Sequence, residues 1–231
     1  MSTRTPGFNA GPEKARSDPH AGAAVLHSGV AVDQASHALV LLHGRGASAE
    51  DILSLGGALA SELTAPGLAL IAPQAAGSSW YPYSFLAPRA ENEPWLSSAL
   101  RLIGSLVEDC IGRGIAVERI GVCGFSQGAC LATEFVASNP RRYGALIAFT
   151  GGLIGPPGSD LRHAGSLGGT PALLSSGDPD PHVPWQRVEE SASVLREMGA
   201  TVEVMRHPGR AHTVLPTEIR AAQAMLQTSG F

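Results

Sequence analysis

A serine between two glycines forms the most distinctive local pattern of the chain, Gly124-Phe-Ser126-Gln-Gly128. The pattern follows a short apolar run, residues 120–123, and precedes a stretch with helical spacing, residues 127–137, which is the strand-turn-helix setting of a serine nucleophile. The flanking positions of so tight a turn must lack bulk, and the turn exposes the serine above the sheet. Ser126 is therefore predicted to be a nucleophile. The alternative is a glycine-rich turn whose serine only caps a helix.

A serine hydroxyl is a poor nucleophile unless a histidine takes its proton. In this strand-turn-helix setting the acid and then the histidine follow the serine along the chain. The downstream histidines are His163, His182, His207 and His212. His212 lies in a loop, Gly209-Arg-Ala-His-Thr, between a strand and the last helix, where its side chain can overhang the strand ends. His212 is predicted to be the base.

Two aspartates are candidates for the acid that orients the histidine, in Gly177-Asp178-Pro-Asp180-Pro-His-Val-Pro184. Both follow the carboxyl end of a predicted strand, where catalytic groups collect in open α/β sheets. Asp178 fits a turn residue ahead of a proline, whereas Asp180 lies further out, closer to the histidine loop. Position alone favours Asp180 slightly and leaves both open.

The glycine-rich loop of residues 43–48 follows the first long apolar run. Attack on a carbonyl creates an oxyanion that needs preorganised N–H donors. We expect the backbone N–H groups of Arg45 and Gln127 to be these donors and His43 to brace the loop through hydrogen bonds. The alternative is a plain strand-to-helix turn. The loop is not a dinucleotide fingerprint, because the third glycine and the later ribose-binding acid are missing.

Residues 80–86, here called the aromatic segment, concentrate aromatic side chains in a proline-bearing stretch that is too irregular for a strand. Ligand pockets are mostly apolar with a few polar groups, such as tyrosine hydroxyls. Trp80, Tyr81, Tyr83 and Phe85 are therefore predicted to form the wall of a substrate pocket. The alternative is a packed loop that covers the edge of the sheet.

Short apolar runs alternate along the chain with longer stretches of helical spacing, which predicts a mostly parallel, doubly wound α/β sheet. Buried strands are predicted at 38–42, 68–72, 119–123, 145–149, 171–175 and 201–205. Helices are predicted at 49–63, 94–111, 127–137, 185–198 and 215–227. Residues 25–32 could add an antiparallel edge hairpin, and Ser48 with Asp51 predicts a capping box. We expect a mobile tail over residues 1–22 and a single domain over residues 23–231.

Composition narrows the functional classes. The chain has 231 residues, of which 44% are hydrophobic and 16% charged, so it can fold around a core. Its formal net charge is -4, which argues against a cationic surface for nucleic acid. It shows no signal peptide and no apolar run of the roughly 20 residues that a membrane span needs, which predicts a cytoplasmic protein. Cys110, Cys123 and Cys130 are predicted to be buried thiols, neither paired nor zinc-bound. No metal-ligand spacing is evident either.

Taken together, several motifs resemble those of the phospholipase/carboxylesterase family of α/β-hydrolases, to which acyl-protein thioesterases belong. They are Leu42-His-Gly, Gly124-Phe-Ser-Gln-Gly, Gly177-Asp-Pro-Asp-Pro-His-Val-Pro and Gly209-Arg-Ala-His. The resemblance extends over about residues 25–228 and implies the α/β-hydrolase fold, a mostly parallel sheet flanked by helices. The pieces Trp-Tyr-Pro and Asn-Glu-Pro of the chain are similar to a bacterial branch of small-ester hydrolases.

The resemblance also bears on single residues. The family pattern Gly-x-x-Asp-x-x-Val-Pro picks Asp180 as the acid, and the other motifs support Ser126, His212 and the amides of Arg45 and Gln127. The chain departs from the thioesterases at Arg45 and at the following Ala-Ser pair, where they commonly have an apolar residue and an acidic stretch. This difference makes protein deacylation a less favoured prediction for the activity of the chain.

These observations predict a cofactor-free serine carboxylesterase that hydrolyses small acyl or aryl esters through an acyl-enzyme. An acyl-thioesterase or lysophospholipase acting on longer chains is the alternative, and a noncatalytic binding protein of the same fold is a remote one. The expected partner is a small-molecule ester, with no nucleic acid and no membrane span. A homodimer is compatible with the sequence.

Overall fold

One mixed sheet organises the computed structural model, which describes residues 18–63 and 67–231. The strands in this part of the chain are β1 (Val25–Gly29), β2 (His37–Leu42), β3 (Leu68–Pro73), β4 (Ile120–Phe125), β5 (Ala145–Phe149), β6 (Pro171–Asp178) and β7 (Thr201–Pro208). The α-helices are α1 (Ala49–Ala60), α2 (Trp95–Gly112), α3 (Gln127–Ser138), α4 (Trp185–Glu197) and α5 (Pro216–Thr228). Strand order is β1-β3-β2-β4-β5-β6-β7, and every pair is parallel except β1 with β3. The predicted doubly wound α/β fold is confirmed.

Helices cover both faces of the sheet. The side chains of α1 and α5 pack with one set of inward-facing strand residues, and those of α2, α3 and α4 pack with the other set. Strands β2 and β5 are buried along their whole length, as expected where both faces of a parallel sheet are covered. No helix in the described ranges is long and apolar enough to cross a membrane.

The strand order changes direction at β2, which has β3 on one side and β4 on the other. In open α/β sheets the carboxyl ends of the strands at such a point face a crevice where ligands bind. The loop after β2 and the turn after β4 therefore open into the same crevice. These are the segments that carry Arg45 and Ser126.

Several element boundaries differ from the predictions. Helix α1 begins as predicted with the Ser48 and Asp51 capping box but ends at Ala60, three residues early. Residues 25–32 do not form a hairpin. Val25–Gly29 is a single edge strand that pairs with β3, because the chain turns away at Gly29, whose φ is +76°.

The predicted mobile tail, residues 1–22, lies mostly outside the described residues. Its last residues pack against the body: His20 is 2% exposed, its backbone N–H donates to Ser98 Oγ at 2.9 Å, and its Nε2–H donates to the Trp80 carbonyl at 3.0 Å. His20 is therefore held against the body through both its ring and its backbone.

The predicted buried thiols are confirmed, since Cys110, Cys123 and Cys130 are all free and buried. Burial raises the pKa of Cys110 to about 11 and that of Cys130 to about 12. Burial also raises the pKa of Cys123. The thiols are therefore protonated at neutral pH and are poor nucleophiles.

Candidate active site

The turn between β4 and α3 holds Ser126 in a backbone conformation that few non-glycine residues adopt, with φ +55° and ψ -120°. Its neighbours are glycines for steric reasons. A Cβ on Gly124 would lie 2.3 Å from the backbone of Gly128, and one on Gly128 would lie 2.0 Å from the Leu42 carbonyl oxygen. Backbone strain of this kind is concentrated at functional sites, where it places a side chain for reaction.

Ser126, His212 and Asp180 form a continuous hydrogen-bonded set. His212 Nε2 is 2.9 Å from Ser126 Oγ, and His212 Nδ1 is 2.9 Å from Asp180 Oδ2. A carboxylate only accepts, so Nδ1 carries the proton and Nε2 is left to accept the serine proton. The set therefore has the geometry of a nucleophile, a general base and an orienting acid.

The other downstream histidines have different partners. His163 Nε2 is 3.3 Å from a Glu134 carboxylate oxygen, and His207 Nε2 is 3.8 Å from Glu218. His182 lies beside His212, with its ring edge-on at 4.9 Å between centroids. None of these three histidines has Ser126 as a hydrogen-bond partner in the described part of the chain.

Asp180 and Asp178 have different partners. Asp180 Oδ1 accepts from the backbone N–H groups of His182 at 2.9 Å and Val183 at 3.0 Å, in addition to the His212 ring. Burial raises the pKa of Asp180, but these donors outweigh it and hold the pKa below its usual value, so the group stays ionised. Asp178 instead accepts from the Arg206 guanidinium at the surface.

The loop after β2 lies against the nucleophile. A Cβ added to Gly44 would be 3.5 Å from Ser126 Cβ. The backbone N–H groups of Arg45 and Gln127 have no hydrogen-bond partner among the described residues, so both are available to a ligand. His43 braces this loop as predicted, because its Nδ1–H donates to the Gly44 carbonyl at 2.7 Å and its Nε2 accepts from the Ala75 N–H at 3.1 Å.

A cavity of about 480 Å³ opens at Ser126 and His212. Its other lining residues are Gly44, Arg45, Ala47, Tyr81, Pro82, Tyr83, Ser84, Phe85, Phe125, Gln127, Cys130, His182 and Val183. The volume lies in the range of small-molecule sites, and most of the lining is apolar or aromatic.

The structure corrects one predicted pocket residue. Tyr81, Tyr83 and Phe85 line the cavity, but Trp80 does not. The Trp80 indole is fully buried behind the cavity, where its Nε1–H donates to the His43 carbonyl at 2.8 Å. An indole N–H needs a partner when buried, and the His43 carbonyl is the partner that fixes this ring in the interior.

Sequence reasoning missed a buried polar network that holds the histidine loop. Arg210 Nη1 is 2.7 Å from Glu218 Oε2, and both side chains are at least 97% buried. Arg210 also donates to the Thr213 carbonyl and to Thr150 Oγ1. The only local signals were an arginine two residues before His212 and a glutamate in the first turn of the last helix.

A second, open groove of about 1040 Å³ lies at the opposite end of the sheet, next to Arg119, which directly precedes β4, and to Pro171 and Thr201, which begin β6 and β7. It is remote from Ser126 and contains none of the predicted site residues. Within the described residues, no group of three or more His, Cys, Asp or Glu side chains is placed to hold a metal ion.

Comparison with known proteins gives consistent relatives. A family model described as phospholipase/carboxylesterase matches residues 27–229. A crystal structure of a phospholipase/carboxylesterase from Dyadobacter fermentans is 45% identical, with a TM-score of 0.83, and the match covers 89% of this chain and 97% of that one.

Curated relatives are more distant. Acyl-protein thioesterase 1 of Gibberella zeae is 26% identical over 141 residues, 60% of each protein. A probable carboxylesterase of Arabidopsis thaliana, SOBER1-like, is 26% identical over 152 residues, which are 64% of this chain and 58% of that protein. The matches therefore span about three fifths of the length of these two relatives.

Proposed function

The chain belongs to the phospholipase/carboxylesterase family, and from this we propose that it hydrolyses small acyl or aryl carboxylic esters through an acyl-enzyme on Ser126. The observation that carries the proposal is the hydrogen-bonded set of Ser126, His212 and Asp180 at the mouth of the cavity. No cofactor has a part in this chemistry.

In the first half of the reaction, Ser126 Oγ attacks the ester carbonyl carbon while His212 Nε2 takes the hydroxyl proton. The carbonyl oxygen becomes an oxyanion, and the free N–H groups of Arg45 and Gln127 donate to it. The tetrahedral intermediate then collapses. The bond to the alcohol oxygen breaks, and His212 returns the proton to that oxygen, so that the alcohol leaves and an acyl-serine ester remains.

In the second half, water takes the place of the alcohol. His212 Nε2 accepts a proton from the water as its oxygen attacks the acyl carbon, and the same N–H groups stabilise the second oxyanion. Collapse breaks the bond to Ser126 Oγ, which recovers its proton from His212. Ionised Asp180 stabilises the imidazolium in both halves and keeps Nδ1 protonated.

The cavity supports the preference for small substrates. Its volume of about 480 Å³ is in the lower part of the range for ligand sites, roughly 300–1,000 Å³. Phe85, Phe125 and Val183 provide apolar contacts for an acyl or aryl group, and Tyr83 at the rim is 57% exposed. An acyl chain should gain binding energy only until this space is filled.

Hydrolysis of longer acyl thioesters or lysophospholipids is the second candidate. It is supported by the similarity to the thioesterase of Gibberella zeae. Such substrates need a long apolar channel, and the open rim at Tyr83 is the place where a longer chain could leave the cavity.

A panel of acyl esters and acyl thioesters of graded chain length, with one common leaving group in each series, tests the proposal. Ester turnover should peak at a few carbons, and Ser126→Ala should lower kcat by about 10³-fold or more. A serine-directed phosphonate should label Ser126, as mapped by mass spectrometry. Labelling of another serine contradicts the mechanism, and a monotonic rise to palmitoyl thioesters supports the second candidate instead.

A further inference from the structure

Arg45 and Gln127 have a second structural feature in common besides their free backbone N–H groups. Both side chains reach across the crevice to the backbone of the aromatic segment. The Arg45 guanidinium donates to three consecutive carbonyl oxygens, those of Tyr81 at 2.9 Å, Pro82 at 2.7 Å and Tyr83 at 2.7 Å.

The Gln127 side chain binds the same stretch of backbone. Its Nε2–H donates to the Tyr81 carbonyl at 2.8 Å, and its Oε1 accepts from the Trp80 N–H at 3.0 Å. The Tyr81 carbonyl thus receives one bond from Gln127 and one from Arg45. A third bond comes from the neighbouring Ser79 Oγ at 2.9 Å, so this carbonyl oxygen is saturated with donors.

Arg45 forms no ion pair within the described ranges, so its charge is directed at these carbonyls alone. The planar guanidinium presents several N–H groups in a fixed fork and can therefore bind three carbonyls at once. A lysine ammonium has a different geometry and a flexible stem, and it could not reproduce this arrangement.

The aromatic segment carries cavity-lining side chains, whereas the loop of Arg45 and the start of α3 carry the proposed oxyanion donors. We propose that Arg45 and Gln127 are positioning residues, whose side chains hold the aromatic segment at a set distance from their own backbone N–H groups. An acyl or aryl group that contacts Tyr81 and Phe85 then brings its carbonyl oxygen to those donors. This inference rests on the proposed function.

The proposal makes the effect of losing these hydrogen bonds depend on substrate size. An acetyl group is too small to fill the cavity, so its position depends little on the aromatic segment. A larger acyl group contacts the segment, and a misplacement of about 1 Å can cost on the order of 10²-fold in rate. The loss should appear in kcat for cavity-filling esters more than in KM.

The first experiment compares Arg45→Met with the wild type on acetyl and butyryl esters that share one leaving group. Methionine keeps the backbone N–H and an unbranched stem but has no donors. We expect kcat for the butyryl ester to fall about 10- to 100-fold and that for the acetyl ester to fall clearly less. Arg45→Lys should be intermediate. An equal fall for both esters, or a change in KM alone, overturns the proposal.

The matched control is Arg196→Met. Arg196 is another exposed arginine that donates to a backbone carbonyl, that of Val202 at 3.0 Å, but it is not part of the cavity. Its removal should leave kcat for both esters unchanged.

A second variant, Gln127→Met, should show the same dependence on acyl size as Arg45→Met. Both side chains bind the Tyr81 carbonyl. The losses of kcat in Arg45→Met and Gln127→Met should therefore not add up in the variant that carries both substitutions. Strict additivity contradicts a shared role.

Hydrogen exchange of the backbone amides in residues 80–86 provides a readout that does not need activity. Exchange there should be faster in Arg45→Met than in the wild type or Arg196→Met, and equal rates overturn the proposal. If the wild type hydrolyses no ester and the phosphonate does not label Ser126, the proposed function is wrong. Hydrogen exchange of residues 80–86 then still tests whether Arg45 positions the aromatic segment. If the wild type is active and the size dependence is unchanged, only the positioning role fails.

Discussion

Arg210 and Glu218 form a buried ion pair, 2.7 Å between Nη1 and Oε2, that joins the loop of His212 to the first turn of α5. Glu218 also accepts from the Leu215 N–H at 2.7 Å. The position of the base thus depends on a charged pair that contacts neither Ser126 nor the cavity. A buried pair contributes little net stability, but removing one partner leaves an uncompensated charge.

Glu218→Gln should therefore destabilise the protein by about 3–5 kcal/mol and lower kcat in the protein that remains folded. Glutamine keeps the shape of the side chain but leaves the Arg210 guanidinium without a carboxylate. Urea denaturation measures the loss of stability. Ester turnover at urea concentrations below the unfolding transition measures the loss of kcat.

The matched control for Glu218→Gln is Glu108→Gln. Glu108 pairs with Arg141 at 2.7 Å on the surface, where both side chains are more than 40% exposed. Its loss should cost less than about 1 kcal/mol. If the two variants are equally stable, the buried pair does not support the histidine loop.

Asp180→Asn should lower kcat on the order of 10⁴-fold, because asparagine can favour the wrong tautomer of His212. Asp178→Asn should act mainly on stability, since its carboxylate binds Arg206 instead of the histidine. Turnover per folded molecule, measured for both variants, separates the two assignments. A greater loss of turnover in Asp178→Asn would reverse them.

Phe85→Ala should shift the optimum of kcat/KM toward longer acyl chains. Phe85 lines the cavity, and each methylene that fills the added space gains up to about 0.8 kcal/mol. Trp80→Ala should instead leave the optimum in place and destabilise the fold by about 3–5 kcal/mol, because the indole is buried behind the cavity. A shift of the optimum in Trp80→Ala alone would contradict this division of roles.

Stability should fall as the pH drops below about 6.5, because buried histidines stay neutral in the folded state. Burial lowers the pKa of His20 and His43 from 6.5, and the ring nitrogens of both accept from backbone N–H groups, those of Ala76 and Ala75. As the pH falls, these histidines are protonated in the unfolded chain before they are protonated in the folded protein. Each of them therefore lowers the free energy of unfolding by up to about 1.4 kcal/mol per pH unit, until the pH reaches its folded pKa.

The free energy of unfolding, measured between pH 8 and pH 5, checks this prediction. His20→Gln should reduce the slope of stability against pH. His27→Gln, at an exposed position, should leave the slope as in the wild type. A wild-type slope of zero across this range would contradict the assignment of neutral buried histidines.

Patterns within a few residues determined much of the fold. Apolar runs and helical spacing predicted β2 to β7 and the five long helices, because each depends on hydrogen bonds and burial repeated along a short segment. The nucleophile turn was recognisable from a pattern of five residues, and the contact that requires Gly124 lies within it, whereas the one that requires Gly128 comes from the distant Leu42 carbonyl. The edge strand β1 was less well predicted, because its partner β3 is about 40 residues away.

The relations between distant residues depended on the tertiary structure. His212 is separated by 32 residues from Asp180 and by 86 from Ser126, and the order of the strands brings the three together. Local position alone could not choose between Asp178 and Asp180. The structure pairs Asp178 with Arg206.

Side-chain directions in irregular segments also required the structure. The sequence by itself determined that residues 80–86 are aromatic and not a regular strand, but no period indicates which of these side chains face a cavity. The packed interior decided that the Trp80 indole donates to the His43 carbonyl, while the Arg45 guanidinium reaches carbonyls 36 to 38 residues away. Buried polar groups must find partners wherever the fold brings them, and the fold alone sets which partners are within reach.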